Sequence, residues 1–70
     1  MQRTVVPSSS ISSIGYDSAS ETLEVEFQNG SVYQYYNVGQ TIYDQIMIAP
    51  SKGQFLNSQI RNAFPYSRVG

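Results

Sequence analysis

An α+β fold, with a three-stranded antiparallel sheet followed by two helices packed on one face, is what these 70 residues predict. Three observations carry that reading. The stretch TLEVEF at 22–27 alternates strictly, with Leu23, Val25 and Phe27 on one side and Thr22, Glu24 and Glu26 on the other. Such alternation marks a strand with one face buried. Asn29-Gly30 then separates two strand-like runs, the strongest short-range hairpin signal. Beyond Val38 the apolar spacing lengthens to a helical period. Helices that follow an antiparallel hairpin can cover one sheet face and leave the other wet.

The elements follow in order. SISSIGYD, residues 10–17, holds Ile14 and Tyr16 at spacing two with Ile11 out of phase, which predicts a first strand with a bulge near Ser12 and Ser13. DSASET is the polar turn into the second strand. SVYQYYNV, residues 31–38, is the return strand and holds three of the six tyrosines. Ile42 with Ile46 and Tyr43 with Met47 are pairs four apart, predicting a first helix over 39–48 that Pro50 ends. SKGQ supplies a capping box, in which Ser51 bonds the Gln54 amide and the Gln54 side chain reaches back. Phe55, Leu56, Gln59, Ile60 and Ala63 extend this second helix to about residue 63, before Pro65. PYSRVG runs extended, along the surface or the sheet edge.

The hairpin register decides the role of the tyrosines. A two-residue turn at Asn29-Gly30 would set Val25 opposite Gln34 and put Tyr33 and Tyr35 on the solvent face with the glutamates. A three-residue loop, with Gly30 left-handed in a G1 bulge, sets Val25 opposite Tyr33 and Glu24 opposite Gln34. The second register is preferred because it keeps an unpaired glutamine amide out of the core, where it would cost about 1–3 kcal/mol. Tyr33 and Tyr35 then become core residues whose hydroxyls reach a rim partner, and Tyr36 is the exposed ring.

Length and composition narrow the function. Seventy residues make a single domain, 1–70, with an ordered core over about 8–69. The chain has no cysteine and no histidine, so it has no disulfides and no nitrogen or sulfur ligands for zinc; no metal and no cofactor are expected. There is no D-x-D loop for calcium, no Walker-type phosphate loop and no Ser/His or Cys/His pair to activate a nucleophile. A non-enzyme is the expectation. No apolar run approaches the ~18 residues of a membrane span, so the reading is a soluble, cytoplasmic protein without membrane contact. The formal net charge of −1 argues against a strongly basic nucleic-acid binder. Its distribution is uneven: residues 1–44 hold all five acids and one cation, Arg3, whereas 45–70 hold Lys52, Arg61, Arg68 and no acid. One face can therefore meet an anion.

Each candidate site has a plain structural reading beside it. At Ser51-Lys52-Gly53, helix amides, a formal charge and a glycine permitting close approach together suit a phosphate; the commoner arrangement is an ordinary cap with a solvated lysine. Arg61 near a helix C-terminus is accounted for by the helix dipole. Asn57, a poor residue for mid-helix, is expected to bond a loop backbone. Glu24 and Glu26, about 7 Å apart along one strand face, superficially suit a carboxylate pair, but two flat, solvated glutamates have no reason for split pKa values.

The string IGYD...LEVEFQNGSVYQYYNV...APSKGQFLNSQIRNAFPYSRV resembles the KTSC family, small domains at the C-terminus of some lysyl-tRNA synthetases that also occur as stand-alone bacterial proteins. The resemblance covers about residues 8–69. It rests on Gly15-Tyr16-Asp17, the Y-x-Y of Tyr33 and Tyr35, Ser51 and Gly53, Asn57, Ile60-Arg61, and the aromatic-Pro-Tyr of Phe64 to Tyr66. Gly39 stands where the family often has proline, which at N1 would pre-set the helix. The resemblance implies a module of unassigned biochemical role, with RNA binding suggested by attachment to synthetases. Two functions stay open. One is a small RNA-binding module, for tRNA-like or single-stranded RNA, using Ser51, Lys52, Gly53, Arg61 and Arg68 with Tyr36 stacking. The other is a protein-interaction or self-associating structural module.

Overall fold

The computed structural model describes residues 1–70. Its antiparallel sheet has five strands in chain order: β1 Arg3–Val5, β2 Ile11–Asp17, β3 Thr22–Phe27, β4 Val32–Tyr35 and β5 Tyr66–Arg68. Two helices, α1 Gln40–Ile48 and α2 Lys52–Phe55, lie between β4 and β5, and α2 runs on into a π-helical turn, Leu56–Ile60. The α+β class and the presence of two helices stand as expected, although the second is α-helical only to Phe55; the sheet has five strands, not three. The added strands are the two edges, each three residues long and mostly solvent-exposed, so neither is long enough for alternation to reveal a strand.

The hairpin takes the three-residue loop. Phe27 N donates to Ser31 O at 2.9 Å, Gly30 N donates to Phe27 O at 2.9 Å, and Gly30 has φ of 91°. Val25 consequently pairs with Tyr33 and Glu24 with Gln34. In β2 the register shifts between Ile11 and Ser13. That bulge lets Ile11 and Ile14 both enter the core, where each is fully buried.

The core lies between the sheet and the helical segments, with Ile14, Leu23, Val25 and Tyr35 from the sheet meeting Ile46, Leu56 and Ile60. Three family hallmarks prove to be structural. A Cβ on Gly15 would strike the backbone of Gln2, just ahead of β1, Tyr16 donates its hydroxyl to Val38 O at 2.6 Å, and Asp17 accepts from Ser20 Oγ at 2.6 Å in the β2–β3 turn. The Tyr16 ring also stacks on Tyr43 of α1, with centroids 4.8 Å apart. Ala49, ahead of Pro50, is extended and ends α1 as expected.

The sheet's other face carries a polar network rather than free side chains. Arg3 donates to Glu24 at 2.5 Å and to Ser13 at 3.0 Å; Ser13 donates to Glu26 at 3.0 Å; Gln34 donates to Glu24 at 2.9 Å. Tyr36 bonds Gln34 at 3.1 Å and Ser67 Oγ at 2.5 Å, so the chain of bonds crosses all five strands. Two expectations are corrected here. Glu24 is 9% exposed and fully engaged, not flat and solvated. Tyr36 is half-buried with its hydroxyl tied down, not an exposed ring. Both changes have one cause, the edge strands β1 and β5, which bring Arg3 and Ser67 alongside.

Candidate functional site: a tyrosine-floored cleft

A cleft of about 890 Å³ opens between the sheet and the helical segment 51–62. Strand alternation builds its floor: Phe27, Tyr33, Tyr35 and Tyr66 all project toward the helical side because Val25 pairs with Tyr33 and Tyr35 with Tyr66. Tyr35 is buried and Tyr33 half-buried, whereas Tyr66 is 58% exposed. The Tyr66 ring lies 5.9 Å from Tyr33 and 5.9 Å from Tyr35, tilted by 43° and 40°. Three rings thus form one continuous aromatic surface, with Tyr66 outermost.

The opposite wall comes from α2 and the π turn. Ser51 accepts from the Gln54 amide at 3.3 Å, as a cap should; the reciprocal bond from the Gln54 side chain is not made. A Cβ on Gly53 would run into Ser10 Oγ, so glycine lets the helix settle against the 8–10 loop that forms the next wall. The second helix, expected as regular α to about residue 63, instead widens after Phe55, and Arg61 N donates to Leu56 O at 2.9 Å. Asn57 and Arg61 both line the cleft, and Arg61 Nη1 donates to Asn57 Oδ1 at 3.0 Å. Asn57 therefore holds an arginine rather than a loop backbone.

Charge is segregated. Lys52 and Arg61 line the cleft and no aspartate or glutamate does, whereas Glu24 and Glu26 lie on the sheet's far face with Arg3. Lys52 Nζ donates to Ala49 O at 3.0 Å, so its charge also caps the end of α1. Burial holds the Tyr35 hydroxyl above the ordinary tyrosine range; neighbouring Tyr33 and Tyr66 add to this and the Arg61 guanidinium opposes it. No cluster of carboxylates is grouped to hold a metal ion.

Of the residues singled out in the sequence, Ser51, Lys52, Gly53 and Arg61 meet at this cleft. Arg68 pairs with Tyr33 in the ladder and so shares its face, but it does not line the cleft, and its Nε donates to Gly70 O at 2.9 Å. Tyr36 lies on the opposite face. The accessible ring that sequence reasoning missed is Tyr66. Its signal was present in the alternation Tyr66-Ser67-Arg68 after Pro65, too short to read as a strand without a partner. The hydroxyls of Tyr33 and Tyr35, expected to reach a rim partner, make no such bond and open onto the cleft.

Comparison with known proteins agrees with this architecture. The family model described as the KTSC domain matches residues 7–64. The crystal structure of a KTSC domain protein from Yersinia pestis superposes with a TM-score of 0.93 at 40% identity, covering 99% of this chain and 97% of that one. A protein of Tsukamurella paurometabola is 37% identical over 59 residues, which is 84% of this chain and 88% of that protein. A lysine–tRNA ligase of Trichormus variabilis is 41% identical over 54 residues, 77% of this chain. The match spans only 10% of that ligase. The chain belongs to the KTSC domain family.

Proposed function

We propose that this chain is a small, non-catalytic binding module that takes RNA in the tyrosine-floored cleft. One observation carries the reading: three tyrosine rings, Lys52 and Arg61 share a single cleft without a carboxylate among its lining residues. Unpaired bases stack on aromatic rings whatever their sequence, and cations beside the rings meet the phosphates. The overall charge of −1 does not oppose this, because the glutamates of β3 are on the far face and tied to Arg3 and Gln34. Related segments within lysine–tRNA ligases support RNA as the partner, and with it a cytoplasmic setting. Titration of ¹⁵N-labelled protein with a mixed-sequence single-stranded RNA, at low and moderate salt, tests the proposal. Shifts at Ser51–Gly53 and Arg61 that weaken with salt are expected; no perturbed amide there at low salt rejects it.

A second reading, protein binding or self-association, draws on Val5 at 81% exposure on edge strand β1 and Ile48 at 82% at the end of α1. Against it, both sheet edges are three residues long, a length that discourages strand addition. A concentration series in analytical ultracentrifugation checks self-association, and a strictly monomeric result removes it.

A further inference from the structure

Resting on the RNA reading above, we infer that the cleft is built for one or two unpaired nucleotides of a single strand, with a base on Tyr66 and a phosphate at Arg61, and not for a duplex. The Tyr66 ring is the only one of the three that stands mostly in solvent, and Tyr33 and Tyr35 back it at 5.9 Å each. A ring already held in place loses little freedom when a base stacks on it.

Arg61, on the facing wall, is exposed and belongs to no ion pair. Its one side-chain bond, to Asn57, uses a single guanidinium nitrogen. The other donors of the fork remain for a phosphate, which guanidinium geometry suits. The π turn independently marks the same place. Such turns are rare and frequently found at functional sites, and here one sits between α2 and Arg61. Removing its extra residue would rotate position 61 by about 100° around the helix, away from its present direction.

Size decides between strand and duplex. A cleft of about 890 Å³ falls in the range of about 300–1,000 Å³ that takes small ligands. Modules that read double-stranded RNA span about 16 base pairs through extended surfaces. Here the rings and the arginine share one open cleft, on a chain measuring 28 × 24 × 22 Å. Gln54, Asn57 and Asn62 in the wall add both donors and acceptors, which a base edge or a 2′-hydroxyl can use.

The test compares an adenosine trinucleotide, adenosine monophosphate and a blunt RNA duplex, followed by NMR of the tyrosine rings and the Arg61 Nε–H. The trinucleotide is expected to bind best, with ring-current shifts on Tyr66. Tyr66→Ala should weaken it about tenfold, while Tyr66→Phe, which keeps the ring and the strand, should stay within about twofold. Arg61→Gln should flatten the slope of log affinity against log salt by about 0.7. Equal or tighter binding of the duplex overturns the inference, and so does monophosphate binding as tightly as the trinucleotide, which would make the ligand a free nucleotide. Should Tyr66→Ala fail to fold, an unchanged salt slope in Arg61→Gln, or a missing ring-current shift on Tyr66 in the wild type, overturns it instead. A mixed-sequence strand that binds without touching Tyr66 or Arg61 overturns this inference alone; no binding of any RNA removes the RNA reading with it.

Discussion

Gln34 Nε2 donates to Glu24 Oε1 at 2.9 Å across the β3–β4 ladder, and this bond is the largest influence holding the Glu24 carboxyl below its usual range. Burial acts the other way, and Arg3 then adds a second hydrogen bond and its charge. A carboxyl depressed in the fold stabilises it above the ordinary value of 4.5, and the contribution disappears as pH falls through the lower, folded value. Glu24→Gln should cost about 1 kcal/mol near neutrality. It should also flatten the acid limb of stability, as read by urea denaturation between neutral and acid pH.

Gly30 occupies the left-handed region at φ of 91°, and a Cβ added there would meet open space. Gly30→Ala therefore meets no clash and suffers only the backbone penalty, about 1–2 kcal/mol. Gly30→Asn should lose less, because asparagine tolerates that region. Denaturation midpoints of the two variants check the order; equal losses would contradict it.

Gly53 owes its place to close approach rather than to φ. Gly53→Ala should destabilise by about 1 kcal/mol through the clash with Ser10 Oγ, and removal of that oxygen in Ser10→Gly should restore much of the loss. A double-mutant cycle measures the coupling. Strict additivity would show that the two walls do not touch.

Tyr16 both stacks on Tyr43 and donates to Val38 O. Tyr16→Phe keeps the ring and deletes the bond at a cost of about 1 kcal/mol, whereas Tyr16→Ala should lose about 3–5 kcal/mol with the ring itself. Thermal unfolding of the pair separates packing from hydrogen bonding.

What could be read in advance depended on how local the cause was. The β3–β4 register followed from Asn29-Gly30 and from the cost of a buried glutamine, both local, and Val25 stands opposite Tyr33 as that reasoning required. Ser51 capping Gln54 was legible for the same reason. Strand β1 was not, and β5 was legible only as the extended run of PYSRVG along the surface or the sheet edge: three mostly exposed residues become a strand only when a long-range neighbour offers an edge, and chain chemistry near Arg3 or Tyr66 does not announce that neighbour. The wrong exposed tyrosine follows directly. Without β5, nothing covers Tyr36; with it, Ser67 takes the Tyr36 hydroxyl and Tyr66 becomes the outer ring. The π turn has no signal in the apolar spacing, since Leu56 and Ile60 sit four apart as in an ordinary helix. The cleft gathers Lys52 and Arg61 opposite Tyr66 through that turn and the bend at Pro50 between the two helices, which no spacing rule supplies.

The polar network over the back of the sheet makes the molecule one-sided. Arg3, Glu24, Gln34, Tyr36 and Ser67 satisfy one another, so another layer laid on that face would have to break bonds before it made any. A domain of this kind joined to a larger body, as its relatives are in the tRNA ligases, would then meet its neighbour through an edge or through the helical side, with its back to water.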